Sequence, residues 1–147
     1  MRKFIEAMKK EWAKEWAKDS VEKGAMTANE LISRFEKFKD SNKPVIIEMD
    51  GDLYTSIFVA NYWRGSYNLP AIDYELDKEG YPLYAVIENL KNLDGTEVTV
   101  YKSGDFTLSG DDPIFVANYG KLNNCTAIVD VVETINYIVC ITKQDMY

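Results

Sequence analysis

The hexapeptide Ile-Phe-Val-Ala-Asn-Tyr occupies residues 57–62 of this chain and returns unchanged at residues 114–119. Both copies are rich in β-branched and aromatic residues, which is typical of a strand. Each copy is followed by a glycine and then by a second strand-like segment. An identical string of this length in 147 residues predicts an internal strand-loop-strand duplication.

The composition is that of a single globular domain. Hydrophobic residues make up 46% of the 147 residues, which is enough to build a core. No apolar run is long enough for a membrane span, and charges at Arg2 and Lys3 interrupt any signal-peptide core. We therefore expect a cytoplasmic protein with no membrane partner. Cys125 and Cys140 lie in apolar segments and are predicted to be buried thiols rather than a disulfide.

The sequence contains no histidine. Its absence removes the Ser-His and Cys-His nucleophile pairs and the ordinary zinc ligand sets. No glycine-rich phosphate loop, calcium loop or dinucleotide fingerprint occurs at the required spacing. We therefore predict no catalytic residue, no metal and no cofactor. A small enzyme that relies on Asp or Glu is the minority alternative.

Charge divides the chain into two regions. Residues 1–43 carry eleven Lys/Arg and eight Asp/Glu, a net charge of +3, whereas residues 44–147 carry six and sixteen, a net charge of −10. We predict a helical arm over 1–43 and a β body over 44–147. Because an acidic body repels phosphates, binding to nucleic acid is disfavoured, while a basic arm can dock on neighbouring copies.

Two amphipathic helices are predicted in the arm. The first runs from about residue 2 to 23, ends at Gly24, and carries Trp12 and Trp16 one turn apart. This aromatic stripe packs either on the chain's own sheet or on another subunit. The second helix begins at Thr27, with a capping box to the residue three positions on, and ends near Asp40.

The body is predicted to be a largely antiparallel sheet, because short polar connections leave no room for repeated helical crossovers. The expected strands cover residues 44–49, 53–62, 69–76, 97–102, 105–108, 113–119, 126–133 and 135–142. A helix over 82–93, with Pro82 in its first turn, interrupts them, and a strand over 83–88 is the alternative. The fold class is thus α+β. Several strands are apolar on both faces, which predicts either a two-layer sandwich or a homo-oligomer.

The candidate binding site is built around the repeated strands. Arg64 is the single arginine after residue 43 and lies beside Trp63, and Lys121 follows the second copy. An arginine next to an aromatic ring suits a phosphate and a base. The residues that we predict to bind the ligand are Asn61, Tyr62, Trp63, Arg64, Asn118, Tyr119 and Lys121. The alternative is that Arg64 pairs with a surface carboxylate and that Trp63 belongs to the core.

A second polar cluster contains Asn89, Asn92, Asp94 and Thr96. The cluster precedes Tyr101 and Lys102 in the sequence. We add Asn92 from the cluster, together with Lys102, to the predicted ligand-binding set. Simple solvation of a loop is the alternative interpretation.

Two amphipathic N-terminal helices, including Glu11-Trp12-Ala13-Lys14, followed by a polar-aromatic β body give the chain an architecture that resembles the phage anti-Thoeris proteins. The resemblance spans the chain and rests on no diagnostic motif. It implies a non-enzymatic sponge that binds a cyclic nucleotide of the cyclic ADP-ribose type between subunits, in the cytoplasm of the host cell. The chain departs from this expectation in its charge, because a body at −10 must concentrate its few cations locally.

A second functional hypothesis is an acidic protein–protein inhibitor, such as an anti-CRISPR or antirestriction protein. The acidic bias and residues 114–121 are loosely similar to antirestriction DNA mimics. Mimicry needs carboxylates at phosphate-like spacing along one face, and many carboxylates of this chain are predicted to lie in turns.

Overall fold

The computed structural model describes residues 15, 17–64, 67–75, 80–100, 104–118 and 121–146. The named helices are α1 (Ala28–Phe35) and α2 (Leu83–Leu93), and residues 17–22 are also helical. The strands are β1 (Val45–Met49), β2 (Asp52–Arg64), β3 (Tyr67–Glu75), β4 (Glu97–Val100), β5 (Gly104–Thr107), β6 (Phe115–Asn118), β7 (Lys121–Glu133) and β8 (Ile138–Lys143). Most of the predicted first helix, including Trp12 and Trp16, lies outside the described residues.

Helix α1 begins where the sequence predicts it. The Oγ1 atom of Thr27 accepts a hydrogen bond from the backbone N–H of Glu30 at 3.2 Å, which satisfies one of the free donors of the first turn. The helix ends at Phe35 rather than near Asp40. It ends early because Lys37 and Phe38 donate to carbonyls only three residues back, which tightens the last turn.

Helix α2 confirms the prediction of a helix over 82–93, and the alternative strand over 83–88 is wrong. Pro82 precedes the helix as its N-cap, and its missing N–H removes a donor that the first turn would leave unpaired. The buried residues of α2 recur at helical spacing and are Leu83, Val86, Leu90 and Leu93. None of the helices in the described ranges is long and apolar enough to cross a membrane.

Six strands close into a barrel in the order β1-β2-β3-β6-β7-β8, while β4 and β5 form a separate two-stranded sheet. Four of the joins in the barrel are antiparallel, as the short connections predict. The β3–β6 and β1–β8 pairs are parallel. The first parallel pair is possible because α2 and the β4–β5 hairpin carry the chain back from the end of β3 to the start of β6.

The barrel consists of two three-stranded meanders, β1-β2-β3 and β6-β7-β8, which meet through the parallel pairs. The repeated hexapeptides do not occupy equivalent places in these meanders. The first copy lies in the part of β2 that continues beyond its pairing with β1 and runs antiparallel to β3, whereas residues 115–118 of the second copy form β6, which has a parallel neighbour on one side and an antiparallel one on the other. Both strands lead into a hairpin, but among the described strands the wider duplication is not seen.

Both faces of the sheet are covered by the chain itself at its centre. Helices α1 and α2 contribute to one core cluster together with the inward residues of the sheet, including Val45, Ile72 and Ile128. Their neighbours in sequence, such as Ala71 and Ala127, point to the opposite face because side chains alternate along a strand. On that face they pack with three further buried residues, which are Ala25, Phe115 and Met146.

Candidate functional site

The described ligand-binding residues that were predicted around the two repeated strands lie on two hairpins. Arg64 is the last residue of β2 and pairs with Tyr67 across a two-residue connection. Lys121 is the first residue of β7 and pairs with Asn118 across another. The strand predicted over 53–62 ends too early, because β2 continues past residue 62 and has Arg64 as its last residue.

Strand register places these two tips at opposite ends of β3. Tyr67, opposite Arg64, begins β3, and Asp73 pairs in parallel with Ala117 just before the second tip. Six residues of extended strand separate Tyr67 from Asp73, a distance of about 20 Å at ~3.3 Å per residue. The structure thus brings together Asn61, Tyr62, Trp63 and Arg64 on one hairpin. It separates them from Asn118 and Lys121, and Tyr119 lies outside the described residues.

The second polar cluster is engaged in local turns. The Oγ1 atom of Thr96 donates to the backbone carbonyl of Asn92 at 2.8 Å, and Asn92 itself is exposed near the end of α2. Asp94 accepts a hydrogen bond from the backbone N–H of Gly110 at 2.7 Å. These contacts agree with solvated turn residues. Lys102 lies outside the described residues, so its role in ligand binding remains a prediction.

Three carboxylates that the sequence analysis did not group lie close together around the turn at residues 109–112. Asp112 accepts from the backbone N–H of Ser109 at 3.0 Å, and Asp111 accepts from the side-chain amide of Asn29 at 3.2 Å. Burial raises the pKa of Asp112, and the nearby charges of Asp111 and Asp94 raise it further. The Asp111-Asp112 pair was visible as a turn signal, but the approach of Asp94 depends on the tertiary fold.

The β7–β8 turn is a second feature that the sequence analysis missed. Residues 135–142 were predicted as a strand, yet β8 begins at Ile138, and residues 134–137 form a turn. Thr134 produces this difference. Its backbone N–H donates to the Tyr137 carbonyl at 2.8 Å, and its Oγ1 accepts from the Tyr137 N–H at 3.0 Å. A threonine hydroxyl that bonds the backbone in this way competes with strand pairing.

The turn carries an exposed isoleucine beside an open depression. The side chain of Ile135 is 90% exposed. A depression of about 660 Å³ lies next to it and is lined by Lys43, Glu133, Thr134, Ile135, Asn136 and Tyr137. A smaller one of about 330 Å³ is lined by Ala17, Lys18, Val21, Glu22, Thr27, Asp111 and Asp112.

The cysteine prediction can be checked at one position. Cys140 is a free, buried thiol, and burial raises its pKa to about 12, which agrees with a structural rather than a reactive role. Within the described ranges, no three His, Cys, Asp or Glu residues are grouped so as to hold a metal ion. Comparison with protein families, with characterised proteins and with solved structures gives no match for this chain.

Proposed function

We propose that this chain is a non-catalytic binding protein that sequesters a cyclic nucleotide signal of the cyclic ADP-ribose type. The architectural resemblance to the phage anti-Thoeris proteins supports this function, which would be exercised against host defence in the host cytoplasm. The roles of Asp94 and Asp112 in turns also support a protein without acid–base catalysis, because their oxygens accept backbone hydrogen bonds at the ends of structural elements.

The position of Arg64 at the end of a hairpin strand carries the proposal. Pairing of β1 with β2 ends at Ile46 and Thr55, yet β2 continues to Arg64 beside β3 alone. Arg64 is also the only arginine after residue 43. A guanidinium binds a phosphate through two parallel hydrogen bonds. The ligand-binding group is therefore Asn61, Tyr62, Trp63 and Arg64.

The separation of the two tips has a consequence for how a ligand is held. Because about 20 Å of strand lies between the two ends of β3, Arg64 and Lys121 of one chain do not grip the same small ligand. They can serve one site only if it lies between two copies. A homo-oligomer held by the Trp12 and Trp16 segment, as proposed from the sequence, supplies such a site.

Calorimetry against cyclic ADP-ribose isomers and related cyclic nucleotides tests the proposal. We expect binding without turnover and release of the intact ligand on denaturation. Arg64→Ala is expected to cost about 1.5 to 3 kcal/mol, or roughly ten- to more than a hundred-fold in affinity. Lys121→Ala is the companion variant, because it removes a cation at the other end of β3 and so distinguishes a site on one hairpin from a site shared between two copies.

The outcomes separate the alternatives. Equal losses from both substitutions indicate a site shared between copies, whereas a loss from Arg64→Ala alone indicates a site on one hairpin. Unchanged affinity in Arg64→Ala places the site elsewhere. Conversion of the nucleotide contradicts the non-catalytic proposal, and no heat from any nucleotide contradicts the ligand class.

The grouping of Asp94, Asp111 and Asp112 favours a second candidate function, that of an acidic inhibitor of a nucleic-acid-binding protein. The three carboxylates come from two separate loops and concentrate negative charge at one place: burial raises the pKa of Asp112, and the charges of Asp111 and Asp94 are close enough to raise it further. If this group imitates phosphates, binding to the basic target is strongly dependent on salt and is weakened by Asp94→Asn together with Asp111→Asn.

A further inference from the structure

The β7–β8 turn exposes an isoleucine to solvent. Ile135 is 90% exposed, and turn positions of this kind usually carry Gly, Pro, Asn, Asp or Ser. The turn does not require the isoleucine, because Thr134 supplies its hydrogen bonds. The Nζ atom of Lys43 also donates a hydrogen bond to the Thr134 carbonyl at 2.8 Å, which connects the turn to the segment between α1 and β1.

Other exposed apolar residues surround this turn. Tyr137 and Val132 flank it and are each less than half exposed. Backbone hydrogen bonds connect Tyr84 to Ser41 and Tyr81 to Val45, so both tyrosines lie beside the same Lys43-Pro44 segment that borders the turn. We call Val132, Ile135, Tyr137, Tyr81 and Tyr84 the turn patch. Grouped apolar exposure of this kind is typical of an interaction surface.

The charges at the turn patch are balanced. Lys43 forms an ion pair with Glu133 at 3.1 Å, so each copy presents one cation and one carboxylate there. The β body as a whole carries a net charge of −10, which repels a second copy. A surface with one charge of each sign is complementary to itself when it is turned through a two-fold axis, because Lys43 of each copy then faces a carboxylate.

The shape of the turn patch is also complementary to itself. Ile135 projects beside the depression of about 660 Å³ that Lys43, Glu133 and Tyr137 line. A two-fold contact requires that a projection and its recess occur on the same surface, because the contact that one copy makes is returned by the other. We propose that the turn patch binds a second copy of this chain, with Ile135 of each copy inserted into the depression of its partner.

This contact is distinct from one made by the Trp12 and Trp16 segment, and it does not rest on nucleotide binding. The apolar centre of the turn patch contains few side chains, so we expect a weak, concentration-dependent pair rather than a permanent one. If both contacts form, a chain that uses two different surfaces assembles into a species larger than a dimer.

Sedimentation velocity over a range of concentrations tests the proposal in the full chain. The parent is the Trp12→Ala, Trp16→Ala variant, from which the other proposed contact has been removed. We expect it to dimerise, and Ile135→Asp to raise the dimer dissociation constant at least about ten-fold, because each copy loses one buried side chain. Ile135→Ala should give a smaller increase. Leu53→Asp is the matched control, because Leu53 is also exposed, at 59%, but lies outside the turn patch. Leu53 belongs to β2 and pairs with Glu48 near the far end of β1.

A loss of dimer in Ile135→Asp but not in Leu53→Asp supports the proposal. A parent that stays monomeric up to millimolar concentration overturns it, as does a dissociation constant that Ile135→Asp leaves unchanged or that Leu53→Asp raises equally. Thermal unfolding of each variant checks that the monomer is intact. If the arm variant does not fold, the same comparison is made in the unaltered chain, where Ile135→Asp must reduce the largest assembly and Leu53→Asp must not.

Discussion

At the scale of single residues, two aspartates of this chain lie in opposite electrostatic surroundings. Burial raises the pKa of Asp112, and nearby carboxylates add to the shift. The pKa of Asp130 is lowered by hydrogen bonds from the backbone N–H of Val131 at 2.8 Å and from the guanidinium of Arg34 at 2.9 Å. Since the pKa of an acid depends on which of its two forms the surroundings stabilise, the two residues affect stability in opposite ways.

The buried carboxyl of Asp112 destabilises the folded protein as the pH rises, and we expect Asp112→Asn to abolish this effect. The raised pKa means that the folded state retains a proton that the unfolded state releases. The free energy of unfolding therefore falls as the pH rises from the ordinary pKa of 3.8 to the higher pKa of the folded state. An asparagine keeps an acceptor for Ser109 and carries no charge. In urea unfolding between pH 3 and 7, the variant should gain stability relative to the parent above pH 3.8 and not below it.

Asp130→Asn provides the opposite comparison. Because the pKa of Asp130 is lowered, its contribution is present above 3.8 and is lost as the pH falls through the folded pKa. This variant should therefore lose stability relative to the parent at neutral pH. The loss should be small because Asp130 is half exposed. Curves that shift in the same direction for both variants would contradict the assignment.

At the scale of elements, the start of α1 depends on one side chain. Thr27 caps the helix through the backbone N–H of Glu30, so Thr27→Ala should lower the free energy of unfolding by about 1 kcal/mol. The control is Ser33→Ala, which replaces an exposed residue inside the same helix. Chemical denaturation of the two variants measures the difference. An equal effect of both would mean that the cap contributes nothing.

Sequence reasoning located the elements because the signals that begin and end them are local. The Thr27 cap, the helical spacing from Leu83 to Leu90 and most strands follow from neighbouring residues. Strand β7 begins at Lys121. Its start was predicted at residue 126 because the polar residues Asn123 and Asn124 interrupt the apolar pattern that indicates a strand. Pairing of β1 with β8 was not predicted, since no local pattern specifies a partner more than ninety residues away.

The relation between the two hairpin tips was harder to predict than the individual elements. The hexapeptide repeat placed Arg64 and Lys121 in corresponding positions, but one residue ends a strand while the other begins one. A repeated string gives strand propensity and burial, whereas the direction and neighbours of each strand depend on the whole sheet. Ile135 was overlooked for a related reason. Its β-branched side chain predicts a strand, and the hydrogen bonds of Thr134 override that preference.

At the scale of the whole molecule, the two ends of the described chain meet on one face of the sheet. The Oγ atom of Ser20 donates to the backbone carbonyl of Met146 at 2.6 Å, and the Met146 side chain is buried against Ala71, Phe115 and Ala127. This face therefore depends on residues that lie close to the C-terminus. Covering it requires no second subunit at these positions.

Met146→Ala should lower the free energy of unfolding by about 2 to 5 kcal/mol, because it removes a side chain with 1% exposure from a packed cluster. Leu53→Ala is the control, since Leu53 is more than half exposed and its truncation should change stability by no more than about 0.5 kcal/mol. Thermal and urea unfolding measure both. Similar values for the two substitutions would show that the C-terminal segment does not close this face.

Closure of the barrel also sets an order of events during synthesis on the ribosome. Strand β1 leaves the ribosome well before β8, which is one of its two neighbours and ends at Lys143. Until the last strand emerges, β1 exposes a row of unpaired backbone groups that can pair with other chains. The nascent protein therefore remains open to aggregation from the emergence of β1 until that of β8, and a stop codon before β8 leaves that edge permanently exposed.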